Sequence, residues 1–155
     1  MTLQEMFDKA IAHFARMGKP SMYGGDCAYR DYGGNKCIVG AFIDDEHYQI
    51  SLENKGVLEW DKTCKVTRKS QPVLNAVAAS MGVEALSDDQ GQLLYMLQRI
   101  HDDESDNFDI DVKSWYEQVK PYLIELAVDN GLALGVLKSD NPTLNETKNI
   151  ESDWS

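Results

Sequence analysis

The residues that could do chemistry are concentrated at positions 27–43, in the run CAYRDYGGNKCIVGAFI. Cys27 and Cys37 carry thiols, which act as nucleophiles or metal ligands once they are deprotonated. Arg30 and Lys36 flank a glycine pair, and a cation beside the N–H groups of a glycine turn can hold an anion such as phosphate. The run therefore predicts either a ligand pocket or buried thiols flanked by surface ion pairs.

Zinc is the metal that these ligand types would suit. The candidate ligands are Cys27, Cys37, Cys64, His47 and His101. Structural zinc sites usually draw two ligands from one turn, as in C-x-x-C, and this chain has no such pair. Free cysteine is also among the most buried residue types. We therefore predict core thiols, and neither a metal nor another cofactor.

Catalysis by a thiol would need an imidazole beside it. Cys37 could meet His47 or His101 in the fold, but the spacing along the chain does not establish this. The sequence contains no G-x-S-x-G, P-loop, G-x-G-x-x-G or H-E-x-x-H motif. It therefore favours a protein that is not an enzyme. The alternative is a small enzyme or ligand-binding domain with Arg30, Lys36, Cys37 and His101 in one pocket.

Negative charge is the strongest feature of the composition. The chain has a net charge of −11, and residues 84–111 contain nine acidic residues and one arginine. This charge opposes nucleic-acid binding, which needs cations to replace the counterions of the phosphates, and it suits a basic protein partner. The predicted acidic partner surface consists of Asp88, Asp89, Asp102, Asp103, Glu104 and Asp106.

The elements that must position these residues are mostly helices. Thr2 and Glu5 form a capping box ahead of an apolar stripe, because a threonine N-cap and a glutamate three residues later satisfy two free backbone donors. Ser87 and Gln90 have the same spacing, and Pro72 suits the first turn of a further helix.

The fourth amphipathic pattern spans 112–127 and contains Pro121, which predicts a kink or a break. Gly33-Gly34 predicts a two-residue β-hairpin turn that would place Arg30 opposite Cys37. The predicted fold class is therefore α+β, mostly helical, with about four helices and one β-hairpin.

A chain of 155 residues is expected to form one domain, which we place at residues 1–137. Residues 138–155 are polar and unpatterned and are predicted to be a mobile tail. No apolar run approaches the roughly 20 residues that a membrane span needs. The first 17 residues lack the apolar region of a signal peptide, so the expected location is the cytoplasm, without membrane contact.

Several short motifs resemble a family of small uncharacterised proteins from bacteriophages and bacteria. They are Cys27-x-Tyr29-Arg30, Gly34-x-Lys36-Cys37-x-Val39-Gly40-x-x-Ile43, Asp45-Glu46-His47-Tyr48, Leu97-Gln98-x-x-His101-Asp102, Asn130-Gly131-Leu132 and Leu3-Gln4-Glu5-Met6-Phe7. The resemblance covers about residues 2–132 and implies a phage or prophage accessory protein that acts inside a bacterial cell. It also implies structural or binding roles for Tyr29, Arg30, Lys36, Cys37, His47, Gln98 and His101.

The sequence thus predicts a small acidic binding protein that modulates or inhibits a host or defence component through its acidic surface. Carboxylates can occupy a site that normally receives phosphate charge, which is how such a protein would inhibit. The partner is expected to be a protein. There are two alternatives. One is the enzyme or ligand-binding domain with the pocket given above, and the other is a virion or assembly component.

Overall fold

The computed structural model describes residues 1–23, 26–59 and 71–138. Within these ranges there are four α-helices and one pair of short antiparallel strands. The elements are α1 (Leu3–Arg16), β1 (Met22–Tyr23), β2 (Asp26–Cys27), α2 (Pro72–Ser80), α3 (Asp88–Ser105) and α4 (Trp115–Asp129). The mostly helical composition with one antiparallel strand pair agrees with the predicted α+β class.

The helices begin where local capping signals place them. Thr2 and Glu5 form a complete capping box at α1, and Ser87 with Gln90 forms one at α3, as predicted. A third box, Ser114 with Glu117, opens α4 and was not predicted. Each box satisfies two backbone donors that an uncapped helix would leave free.

Of the kink or break predicted at Pro121, the break does not occur, because α4 continues through it to Asp129. A proline inside a helix removes one hydrogen bond and costs about 3 kcal/mol. The buried face of α4 compensates for this cost through Trp115, Val119 and Leu123, which are at most 1% exposed.

The core is built where α1, α3 and α4 pack against one another. Trp115 lies in this core. The centroid of its ring is 5.5 Å from that of His101, 5.3 Å from that of Phe108 and 6.4 Å from that of Phe14. α1 is also joined to the segment after α4. The side-chain amide of Gln4 accepts from the main-chain N–H of Ala133 at 2.8 Å and donates to its carbonyl at 3.2 Å.

The predicted β-hairpin is misplaced. The paired strands are β1 and β2, with Tyr23 opposite Asp26 and Met22 opposite Cys27, ahead of the predicted turn at Gly33-Gly34. Arg30 forms an isolated antiparallel bridge with Lys36, rather than the predicted pairing with Cys37. The loop therefore has five residues, 31–35, instead of two.

Side-chain hydrogen bonds explain the longer loop. The carboxylate of Asp31 accepts from the N–H groups of Gly33 and Asn35, each at 2.9 Å, and Gly34 has φ +85°. After the loop, Cys37, Ile38 and Val39 are all fully buried and a 3-10 turn follows at Gly40–Phe42. Consecutive buried residues replace the alternation that a half-buried strand would show.

Some predictions lie outside the described residues. They include all of the predicted tail beyond residue 138 and the candidate zinc ligand Cys64. Among the described helices none is long and apolar enough to span a membrane.

Candidate functional site

His101 is a fully buried residue of α3 that supports the segment leading into β1. The main-chain N–H of Ser21 donates to Nε2 of His101 at 3.0 Å, so Nε2 carries no proton. The proton must then be on Nδ1, which donates to Oδ1 of Asp102 at 2.9 Å. Both ring nitrogens are therefore used within the protein, and the ring is neutral.

Gln98 lies one turn earlier on α3 and holds the buried segment that follows the 31–35 loop. Its side-chain carbonyl accepts from the N–H of Val39 at 3.0 Å, and its amide donates to Asp102 at 2.8 Å. Gln98 and His101 thus bind two backbone positions far from α3 in the sequence. Both were predicted to matter for structure or binding, and the geometry gives them a structural role.

Glu53 is the centre of a second group of hydrogen bonds, apart from the group around His101 and Gln98. The sequence analysis did not single out this residue. Its two carboxylate oxygens accept from the N–H groups of Tyr29 at 2.9 Å and Arg30 at 3.0 Å. The hydroxyl of Tyr48 also donates to it at 2.5 Å. Burial, together with this hydrogen bond, raises the pKa of Tyr48 to about 12. Glu53 therefore holds the backbone at the Tyr29–Arg30 motif.

The guanidinium of Arg30 is bound within the protein and does not face an anion site. It donates to the carbonyl of Ile43 at 3.0 Å, lies 2.9 Å from the carboxylate of Asp45 and stacks 4.3 Å from the centre of the Tyr48 ring. These contacts agree with surface ion pairing of Arg30, which was one of the two interpretations of the sequence.

Both described thiols have raised pKa values. Cys37 is fully buried, its sulfur accepts from the N–H of Gly40 at 3.2 Å, and burial raises its pKa. Burial also raises the pKa of Cys27 to about 11, although its Sγ lies 3.1 Å from the hydroxyl of Ser105. Since the thiolate is the nucleophile, neither cysteine is activated for catalysis. Cys64 lies outside the described residues.

Two groups in the described part of the chain have ligand atoms within 4.8 Å of one another. The first is Cys27, His101 and Asp102, where hydrogen bonds already occupy both imidazole nitrogens, so the ring offers no free lone pair. The second is Asp44, Glu46 and His47, at the surface. There His47 contacts Asp44 at 2.6 Å in a local turn.

Arg30 and Lys36 lie opposite each other with Cys37 next in the chain, but neither of the two cavities described here is lined by all four predicted pocket residues. A cavity of about 220 Å³ is lined by Tyr29, Gln98 and ten other residues, but not by Arg30, Lys36, Cys37 or His101. Lys36 instead lines a separate cavity of about 670 Å³ between α1 and the Gly40–Phe42 turn.

The predicted acidic surface divides into distinct parts. Glu104 is 8% exposed and accepts from the side chain of Gln118 at 2.6 Å, so its assignment to the surface is wrong. Asp102 is half-buried in the network described above. Asp88 and Asp89 are exposed at the first turn of α3, roughly 20 Å along the helix from Asp103.

A second acidic stretch, residues 103–112, contains exposed apolar side chains that the sequence analysis did not single out. We call it the acidic end. Its exposed carboxylates belong to Asp103, Asp106, Asp109 and Asp111. Between and beside them Ile110 is 62% exposed and Val112 is 72% exposed. The alternation D-I-D-V between two helices was the signal available in the sequence.

No family model matches the chain, and neither a curated protein nor a solved structure matches it. Inferences about function therefore rest on the geometry above.

Proposed function

We propose that this chain is a non-enzymatic protein-binding protein whose partner docks on the acidic end. The observation that carries the proposal is the exposure of Ile110 and Val112 beside the carboxylates of Asp109 and Asp111. Apolar side chains contribute affinity when a partner covers them, while the flanking charges select a basic surface and steer it.

The internal use of the chemistry-bearing groups supports the same conclusion. His101, Gln98 and Glu53 each bind backbone groups, and both described thiols have pKa values too high for nucleophilic work near neutral pH. A catalytic site needs such groups poised toward a substrate. The alternative of a pocket shared by Arg30, Lys36, Cys37 and His101 has no matching cavity among those described above.

The cellular role that we propose is that of a phage-type accessory protein in the bacterial cytoplasm, folded as a single domain over residues 1–137. It would modulate or inhibit a host or defence component by presenting carboxylates to a basic surface that normally receives phosphate charge. The motif resemblance supports the phage context, and the net charge of −11 supports a basic protein partner over nucleic acid.

The test is capture of partners from a bacterial lysate by the immobilised full chain, at low and at high salt, with mass spectrometry of the retained proteins. A variant with Asp103→Asn, Asp106→Asn, Asp109→Asn and Asp111→Asn removes four charges from the acidic end. A control with Glu84→Gln, Asp88→Asn, Asp89→Asn and Asp129→Asn removes four exposed charges elsewhere. Both variants have the same net charge.

We expect a basic protein that is released by salt, lost by the first variant and retained by the control. Ile110→Ser with Val112→Ser should weaken capture at low salt although all charges are kept, because it removes the apolar part of the contact. Equal loss in the two charge variants would show a nonspecific effect of net charge and would overturn the proposal. Capture that neither charge variant changes would also overturn it.

A further inference from the structure

Two exposed tyrosines lie side by side where β1 meets the 31–35 loop. Tyr32 is 88% exposed and Tyr23 is 54% exposed. Their ring centroids are 4.8 Å apart in an edge-to-face arrangement, and the hydroxyl of Tyr32 donates to that of Tyr23 at 3.2 Å. We call these two residues the tyrosine pair. Tyrosine is one of the side chains that most often supply binding energy at protein interfaces.

The loop that carries Tyr32 is fixed in place although its tip is exposed. The carboxylate of Asp31 accepts from the N–H groups of Gly33 and Asn35, as described above. Asn35 donates through its side-chain amide to the carbonyl of Lys19 at 3.0 Å, and its own carbonyl accepts from the hydroxyl of Ser21 at 3.2 Å. A partner that binds Tyr32 would therefore lose little affinity to ordering of the loop.

The surroundings of the tyrosine pair contain two carboxylates, those of Asp26 and Asp31, and two lysines beside the 31–35 loop, Lys19 and Lys36. Asp26 is exposed and lies directly opposite Tyr23 in the strand register, so the two side chains share one face. Asp31 precedes Tyr32 in the loop. Aromatic rings beside carboxylates match an arginine side chain, whose planar guanidinium stacks on a ring and donates to a carboxylate at its edge.

The strand pair that carries Tyr23 contacts α3 through its other face. Sγ of Cys27 is 3.1 Å from the hydroxyl of Ser105, in the last turn of α3. Cys27 is opposite Met22, so its side chain lies on the face opposite to that of Tyr23 and Asp26. The face that carries the tyrosine pair is therefore not the one that packs on α3.

From this geometry we infer that the tyrosine pair, with Asp26, is a docking point for an arginine side chain in a cationic segment of a partner protein. The inference rests on the proposed function, which it deepens by naming the chemistry of the partner. Nucleic-acid bases also stack on tyrosine, but their phosphates would meet a chain of net charge −11. A second copy of the chain carries the same negative charge.

The experiment is an NMR titration of the full chain, labelled at tyrosine, with the capped peptides Gly-Arg-Gly-Arg-Gly and Gly-Lys-Gly-Lys-Gly. The peptides have equal charge and differ in the planar guanidinium. We expect ring signals of Tyr23 and Tyr32 to move with the arginine peptide, which should bind about two- to fivefold more tightly than the lysine peptide. Tyr32→Ala should remove this preference, whereas Tyr32→Phe should keep most of it because the ring face remains.

Tyr122→Ala is the matched control, since Tyr122 is a 44% exposed tyrosine on α4, outside the strand pair and the loop. This variant should leave the titration unchanged. Equal binding of the two peptides, a preference that survives Tyr32→Ala, or tighter binding of a single-stranded oligothymidylate would overturn the inference.

The two proposals fail in different ways. If the arginine peptide does not perturb the tyrosine pair, but the lysate partner is lost on neutralising the acidic end, the arginine inference fails alone. If the arginine peptide binds the pair and neutralising the acidic end leaves lysate capture unchanged, the proposed function fails alone.

Discussion

The carboxylates that hold the Tyr29–Phe42 region have the same chemistry as those of the acidic end, but they differ in exposure and in hydrogen-bond partners. Glu53 and Asp102 accept hydrogen bonds from backbone and side-chain donors that the fold brings to them. Asp109 and Asp111 are exposed beside Ile110 and Val112. The first set joins distant parts of the chain, whereas Asp109 accepts a local hydrogen bond from the N–H of Asp111 at 2.9 Å and stays exposed. An acidic residue thus acquires its role from the donors around it.

Glu53→Ala should produce the largest loss of stability, because it removes the acceptor of two backbone N–H groups and of the Tyr48 hydroxyl. We expect the free energy of unfolding in urea to fall by about 3 kcal/mol. Glu46→Ala removes an exposed glutamate from the same part of the chain and should change it by less than about 0.5 kcal/mol. Similar losses for the two variants would contradict the contrast drawn above.

Gly40→Ala should have the next largest effect, since it tests how closely the buried segment is packed. A Cβ at this position would lie 2.1 Å from the main-chain oxygen of Tyr29, and that backbone is held by Glu53. We expect a loss of about 2 kcal/mol. Gly18→Ala is the control, because a Cβ there meets nothing within 4 Å. A Gly40→Ala protein as stable as the control would show that the segment can move.

His13 should make stability depend on pH to a smaller degree. Its ring is partly buried, and Nε2 donates to the carbonyl of Lys36 at 2.7 Å. Burial lowers the pKa of His13 below its ordinary value of 6.5, and the charges of Arg16 and Lys36 act in the same direction.

Because the unfolded chain then binds the proton more readily, the contribution of His13 is complete above pH 6.5 and is lost as the pH falls through the lower pKa of the folded protein. Urea denaturation at a series of pH values should show this decline, and His13→Gln should make it shallower. An unchanged slope in the variant would be evidence against the effect.

The raised pKa of Cys27 should have the smallest effect of all. We expect slow alkylation of its thiol in the folded protein and no change in the free energy of unfolding. At pH 7.5 we expect iodoacetamide to modify Cys27 in the folded protein roughly tenfold more slowly than in urea, because little thiolate is present. Peptide mass spectrometry can follow this residue separately from the other cysteines. Equal rates in the folded and unfolded states would contradict the raised pKa, and faster modification in the folded protein would reopen the question of catalysis.

The parts of the fold that depend on local signals were predictable from the sequence. The capping boxes at Thr2 and Ser87 involve partners three residues away, and Pro72 acts through its own ring. The loop after Arg30 was not predictable, because its length depends on hydrogen bonds of Asp31. A break at Pro121, one of the two outcomes predicted, does not occur because burial of one face of α4 outweighs a local penalty.

The candidate site could be predicted only as a set of residues. Arg30, Gln98 and His101 were predicted to matter for structure or binding, but their spacing could not show that their side chains bind groups within the protein. Glu53 lies in a segment without a periodic pattern of apolar residues, so the sequence could not show that it accepts several hydrogen bonds. The tyrosine pair depends on β1, which the sequence did not predict.

The double hydrogen bond between Gln4 and Ala133 has a consequence for rearranging the chain. It places the first turn of α1 beside the segment that follows α4, although 129 positions separate them. A short linker from residue 138 to residue 1 would therefore close the polypeptide into a ring without displacing either helix. Opening that ring at Gly82, between α2 and α3, should give a circular permutant that folds with the same core, acidic end and tyrosine pair.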